Sequence, residues 1–292
     1  MKLVRIRTPE GTVTGRVDGD VVHVLAESLD ELVRGAGPTP TGATVAYDVA
    51  ALEAPLAESC RGLVCTGINY LAHQEESAAE FSADVPTDPI FFFKTTSAVT
   101  GPAADLQLRP GVSQEFDWEV ELGVVIGTGG RDIAVEDAAS HIFGYTVVND
   151  ITARDLQKRH QQWLLGKNVD ASTPVGPWIV TADELPFPPA LPLSLELNGV
   201  TMQSSDTTLM IFGIAEQISI LSHAMTLEPG DIISTGTPSG VGFTRTPPVF
   251  LSDGDVVEAT VDGIGVLRNV VRTGADPVSA EVLDTLAEGQ PA

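Results

Sequence analysis

The chain is poor in basic residues. Its 292 residues include only four lysines, Lys2, Lys94, Lys158 and Lys167, and lysine plus arginine reach 16 against 40 acidic residues. The resulting formal charge of −24 excludes electrostatic binding to nucleic acid or to an anionic membrane. It would also repel an anionic substrate unless the site carries its own cations, and three of the four lysines fall in segments given chemistry below. Cysteine is scarce: Cys60 and Cys65 match no zinc pattern and no disulfide framework, and read as buried thiols. No apolar run reaches the roughly 20 residues of a membrane helix, and the N-terminus lacks a signal-peptide apolar region. The expectation is a soluble cytoplasmic protein, without nucleic-acid or membrane partners.

What is present suits a folded, turn-rich protein. Hydrophobic residues make up 43% of the chain, with 28 glycines and 20 prolines, a balance that favours strands over a helical bundle. Three parts are expected: a small α+β module over 1–58, a main domain over 59–272 and a polar tail over 273–292. In the first part, Lys2 to Arg7 alternates as a strand and Asp18-Gly19-Asp20 turns into Val21 to Leu25. Ser28 with Glu31 predicts a capping box on a short helix, and Gly35 to Gly42 a loop.

The chemistry centres on Asp117-Trp118-Glu119-Val120-Glu121-Leu122, which then becomes wholly apolar through Ile126. Strict alternation is the period of a strand, so Asp117, Glu119 and Glu121 share one face. Taken alone, such a face is a solvated one. A second strand-like run, Tyr145 to Asn149, ends at Asp150. If the two runs are neighbours, Glu119, Glu121 and Asp150 can converge on one hard cation, which takes oxygen ligands and keeps positions for water or substrate.

Upstream, a strand and a glycine turn lead into Ala72 to Ser77. On a helix, His73 and Glu76 share a face, so the carboxylate can orient the imidazole as a general base; taken alone, the pair reads rather as a surface ion pair. The aperiodic acidic stretch from Ser77 to Pro89 reads as a lid, mobile from about 73 to 86. Lys94 follows three phenylalanines and either snorkels outward or faces a ligand anion. Thr152 to Lys158 predicts a helix, Gly166-Lys167-Asn168 a loop, and Asn198-Gly199 a hairpin turn. Gly236 and Gly240 to Gly242 predict a flexible loop with exposed amides, without phosphate-loop spacing.

Together these segments resemble the fumarylacetoacetate hydrolase family. The resemblance is carried by Gly67-Ile68-Asn69-Tyr70 with His73 and Glu76, Phe93-Lys94, Asp117 to Leu122, Gly144-Tyr145 with Asn149-Asp150, Ala153-Arg154-Asp155 with Gln157, Gly166-Lys167, Leu227 to Asp231, Thr235 to Pro238 with Gly240 to Gly242, and Gly254 to Val257. It implies a mostly β fold with some α, a mixed β roll or barrel-like sandwich with the metal at its mouth. It further implies Mg²⁺ or Mn²⁺ on Glu119, Glu121 and Asp150, and a catalytic dyad of His73 and Glu76. Arg154, Gln157, Lys167 and Thr237 match substrate-contact positions, to which Lys94 is added, with Lys167 also taken as catalytic. Asp117 looks like a residue supporting the ligands. A further acidic ligand of the two-domain members has no equivalent here, which points to the shorter acylpyruvase-like branch and to a homodimer.

The implied substrate is a small 2-oxo acid. A cation on its carboxylate and 2-oxygen stabilises negative charge there, which favours any reaction that sends electrons into C3. The leading expectation is hydrolysis of a C–C bond in a 2,4-dioxo acid. The alternatives are oxaloacetate decarboxylation and proton movement at C3, as in tautomerisation or 2-hydroxy-dienedioate isomerisation. A metal-stabilised binding module without catalysis is the remaining class.

Overall fold

A computed structural model of the chain describes residues 1–81 and 84–274. The expected polar tail therefore lies almost wholly outside the described residues. The fold is mostly β, built around a twelve-stranded sheet. Ten of its strands run in the order Pro40–Ala46, Val21–Leu25, Gly11–Asp18, Lys2–Thr8, Thr173–Thr181, Ile142–Asn149, Val120–Ile126, Ile232–Ser234, Leu63–Gly67 and Ile90–Lys94. A second, five-stranded sheet runs Val200–Asp206, Pro192–Leu197, Val256–Val261, Gly265–Thr273 and Leu106–Leu108. The large sheet is open, with Pro40–Ala46 and Ile90–Lys94 at its ends, so among the described residues the barrel-like element of the expectation is a sandwich and not a closed barrel.

Alternation explains how the sheets meet. Val120, Leu122, Val124 and Val147 are buried in one core with Leu193, Leu195, Val257, Ala259 and Leu267 of the smaller sheet. The opposite face of the central strands, including Val125, Val148 and Val175, packs with Leu29, Leu32 and Val33 of the N-terminal helix. That helix, Leu29–Val33, carries the expected capping box between Ser28 and Glu31. The N-terminal strands do not form a sheet of their own: Lys2 and Leu3 pair with Val180 and Ile179 of the main domain.

Several local expectations change. The acidic strand is broken: Phe116–Asp117 pairs with Thr152–Ala153, and the long strand begins only at Val120. Lys167 ends a short helix, Leu164–Lys167, where a loop was expected. A strand begins at Pro40, inside the expected loop. The helix after Tyr70 spans Leu71–Ser77, as the spacing predicts.

Candidate active site

The break in the acidic strand sets the ligand geometry. The Glu119 amide donates to Asn149 Oδ1 at 3.0 Å, and the Asp150 amide donates to the Glu119 carbonyl at 2.8 Å. Glu119 and Asp150 are thereby held side by side, and Glu121 follows two residues on. Side-chain oxygens of Glu119, Glu121 and Asp150 lie within 4.8 Å of one another, and all three residues are buried. Asp117 does not join them. Its carboxylate accepts from Arg154 Nε at 2.9 Å and from the amides of Gly242 and Phe243 at 2.7 and 3.1 Å.

Cations surround the group. Lys167 Nζ donates to Glu119 Oε2 at 2.8 Å and to Asp150 Oδ2 at 2.7 Å. Lys94 Nζ donates to Asp150 Oδ1 at 2.5 Å and to the Ile151 carbonyl at 3.0 Å. Arg154 Nη2 lies 2.6 Å from Glu119 Oε1, a charge contact and not an aligned hydrogen bond. Glu121 has neutral partners instead: the Ser234 hydroxyl donates at 2.5 Å and the Gly236 amide at 3.0 Å, both to Oε2. Gly236 must be glycine, because its φ is +99° and a Cβ would sit 2.6 Å from that of Asn69.

Protonation follows from this layout. Burial raises Glu121, and the neighbouring charges of Asp150 and Glu119 raise it further, to about 8. Burial also acts to raise Glu119, but Lys167 and Arg154 outweigh it and hold the carboxyl at about 2. Burial acts to lower Lys167, yet Asp150 and Glu119 prevail, so the ammonium stays protonated well above neutrality. Asp117 is raised by burial despite Arg154.

The residues fit a divalent cation. All donors are oxygens, the hard ligands that Mg²⁺, Mn²⁺ or Ca²⁺ take. Counting Asp117, Glu119, Glu121 and Asp150 against Lys94, Arg154 and Lys167 leaves one negative charge in excess in a buried space.

His73 reaches the same pocket from the helix Leu71–Ser77. Its Nδ1 lies 2.8 Å from Glu76 Oε1. Glu76 is fixed in turn by the Gly240 amide at 2.9 Å to Oε2 and by the Thr244 hydroxyl at 3.2 Å. The glycine loop expected to be flexible, with exposed amides, thus spends those amides on Glu76 and Asp117. Within the expected lid, Phe81 makes edge contacts with Trp163 and Phe243, ring centroids 5.7 and 5.9 Å apart, while Asp84, Val85, Thr87 and Asp88 are exposed. Residues 82 and 83 lie outside the described residues.

The pocket brings together His73, Glu119, Glu121, Arg154, Gln157, Lys167 and Thr237. Gln157 Oε1 accepts from Arg154 at 3.0 Å. The Thr237 hydroxyl donates to the Val120 carbonyl at 3.0 Å and accepts from Gln203 at 2.8 Å. Lys94 does not line the pocket: it is wholly buried behind Asp150, so its expected substrate contact gives way to support of a carboxylate. The aromatic wall of Phe81, Phe92 and Trp163 was missed, as were Ser234 and the Gly236 amide. Phe81 and Trp163 lie outside helices and strands and carry no periodic signal, and nothing in the run of three phenylalanines before Lys94 singles out Phe92.

With fold and site described, the class is defined: the chain belongs to the fumarylacetoacetate hydrolase family, whose C-terminal domain model matches residues 62–272. An Rv2993c-like N-terminal model matches residues 1–55. Among curated proteins, the chain is 41% identical over 271 residues to the oxaloacetate tautomerase YisK of Bacillus subtilis, covering 92% of this chain and 89% of that one. It is 47% identical over 211 residues to the mitochondrial oxaloacetate tautomerase FAHD2A of Bos taurus, covering 72% of this chain and 66% of that protein. Among solved structures, a fumarylacetoacetate hydrolase from Exiguobacterium antarcticum has a TM-score of 0.83 at 36% identity, covering 94% of this chain and all of that one (100%). A 2-hydroxyhepta-2,4-diene-1,7-dioate isomerase from Mycobacterium marinum has a TM-score of 0.78 at 35% identity, with the same coverage, 94% and 100%. No described helix is long and apolar enough to cross a membrane.

Proposed function

We propose that the protein is an oxaloacetate tautomerase, moving one proton between the 2-oxygen and C3 of a four-carbon 2-oxo diacid. The observation that carries this reading is one imidazole, His73, held by Glu76 and lining the same pocket as Glu119 and Glu121 of the buried cluster of three carboxylates. The similarity to two proteins named oxaloacetate tautomerases supports it. Tautomerisation consumes no water, whereas the hydrolysis expected first must also position a water against a C4 carbonyl. The alternative of proton movement at C3 therefore replaces hydrolysis as the main reading.

Glu119, Glu121 and Asp150 would hold Mg²⁺ or Mn²⁺, which when bound supplies positive charge for the carboxylate and 2-oxygen of the substrate. The chain's own groups do the rest. Glu76 accepts from Nδ1–H and so turns the Nε2 lone pair of His73 toward the pocket, the tautomer a proton carrier at C3 needs. Lys167 and Arg154 stay charged and cannot act as bases. Lys167 commits two of its three donors to Glu119 and Asp150, and keeps one for a substrate oxygen. Arg154 and Gln157 offer donors for the distal carboxylate, and Thr237 borders the same space. The aromatic wall keeps bulk water from the reacting carbon.

Function as a cytoplasmic homodimer is part of the proposal. Its support is the sheet edge at Ile90–Lys94, where Ile90 and Phe93 are exposed close to Leu164 and Leu165; light scattering at several concentrations measures the state. The test of function is stopped-flow decay of enol-oxaloacetate absorbance beside acetylpyruvate cleavage, both with Mg²⁺. Acceleration of enol decay with slow or no cleavage is expected. Efficient cleavage without enol acceleration would return the hydrolase reading.

A further inference from the structure

Each of the three clustered carboxylates has one oxygen against a protein group, and for Asp150 and Glu121 that group stands outside the pocket lining. For Asp150 the oxygen is Oδ1, held by Lys94; for Glu121 it is Oε2, held by Ser234 and the Gly236 amide; for Glu119 it is Oε1, against Arg154. The other oxygens of Asp150 and Glu119 converge, since a single ammonium, Lys167 Nζ, lies 2.7 Å from one and 2.8 Å from the other. Both bonds to Glu121 fall on one atom, so Oε1 remains for the pocket.

We propose that the rear contacts of Asp150 and Glu121, with Lys94 as the main positioning residue, restrict these two carboxylates to a single oxygen each and thereby make the site discriminate against Ca²⁺. This rests on the reading of the three acids as a metal site. A carboxylate binds a cation through both oxygens only by turning its plane toward the ion. Asp150 cannot turn without leaving Lys94, which is 0% exposed and has no water to replace the lost pairing. With Asp150 and Glu121 each offering one oxygen beside Glu119, positions would remain for water and substrate, which suits Mg²⁺ or Mn²⁺. Ca²⁺ prefers 6–8 oxygens at longer distance and reaches that number through two-oxygen carboxylates. Lys94 acts through Asp150 and not on the substrate, which accounts for a buried lysine in a lysine-poor chain.

The experiment is calorimetric titration of the metal-stripped full chain with MgCl₂, MnCl₂ and CaCl₂, for wild type, Lys94→Met and Ser234→Ala. Freed from its rear partner, a carboxylate can offer both oxygens. The ratio of Ca²⁺ to Mg²⁺ affinity is then expected to rise about tenfold or more in Lys94→Met, the scale on which such outer partners act. A smaller rise in the same direction is expected in Ser234→Ala, where the Gly236 amide still holds Glu121. If Lys94→Met does not fold, the ratio in Ser234→Ala decides alone. A ratio unchanged in the folded variants, with both ions shifted by one common factor, overturns the proposal and leaves Lys94 as a neutralising charge. Wild type that binds no divalent ion overturns the underlying metal reading instead.

Discussion

Lys167 Nζ sits between Glu119 Oε2 and Asp150 Oδ2, at 2.8 and 2.7 Å, although Glu119 lies just before the strand Val120–Ile126 and Asp150 just after the strand Ile142–Asn149. Its position on a short helix, and its burial to 2% exposure, change what its removal does. An exposed lysine after a glycine would be nearly silent in stability. A buried one leaves two carboxylates unpaired. Lys167→Met is therefore expected to cost about 3–5 kcal/mol in chelator, with part regained in Mg²⁺ or Mn²⁺, and to lower turnover at least about a hundredfold. Thermal melts with and without metal, beside enol decay, check both. A melt unchanged in chelator would refute the buried pairing.

The pH dependence of the metal-free protein follows from Glu121 and Glu119. Glu121 stands at about 8 in the fold against 4.5 unfolded. The native state holds a proton that the unfolded state has released, so stability falls as pH rises from about 4.5 through 8. Glu119 stands at about 2 against 4.5, and its contribution is present above 4.5 and lost as pH falls toward 2. Glu121→Gln is expected to flatten the fall on the alkaline side and to abolish tight metal binding. Urea midpoints from pH 5 to 9 in chelator measure the slope; identical slopes in wild type and variant would show that another group sets it.

His73→Ala is expected to slow enol ketonisation by about 10²–10⁴-fold. Oxaloacetate decarboxylation needs no base at C3 and should lose less. Glu76→Gln, which leaves the ring but weakens its hold, should fall between wild type and His73→Ala. Both reactions measured on one preparation of matched metal content make the comparison. Equal losses in both would indicate that the imidazole shapes the pocket and does not carry the proton.

Gly240 links the dyad to the sandwich. Its φ is +108°, and a Cβ there would lie 2.1 Å from the Met202 carbonyl. Gly240→Ala is expected to cost at least about 1 kcal/mol and to release the amide that fixes Glu76, so that catalysis falls even at temperatures where the variant is folded. Chemical denaturation gives the first quantity and ketonisation kinetics at low temperature the second. Retained kcat in a destabilised variant would separate the loop from the dyad.

Much of this site was legible in the chain itself because its central acids sit on periodic elements. Alternation placed Glu119 and Glu121 together, and the end of an apolar run placed Asp150. Helical spacing paired His73 with Glu76. The contacts that turn these groups into a site span the fold: Lys94 to Asp150 across 56 residues, Gly240 to Glu76 across 164, Ser234 to Glu121 across 113. No local period reports such distances. Hence Lys94 read as a substrate contact, the Gly240 to Gly242 amides as exposed, and the helix bearing Lys167 as a loop. The break at Trp118-Glu119 was hidden because the residues on both sides keep the same alternation.

The pairing of Lys2 and Leu3 with Val180 and Ile179 has a consequence for how the N-terminal strands can be altered. The strand Thr173–Thr181 is buried along most of its length, and its neighbour on that side is the first strand of the chain. Removal of the N-terminal strands would bare the end of this strand, from Ile179 to Thr181, with amides and carbonyls unpaired, the kind of surface that recruits other chains. The N-terminal strands thus act as a cap on the catalytic sheet, and a shortened chain would be limited by self-association before its chemistry could be measured.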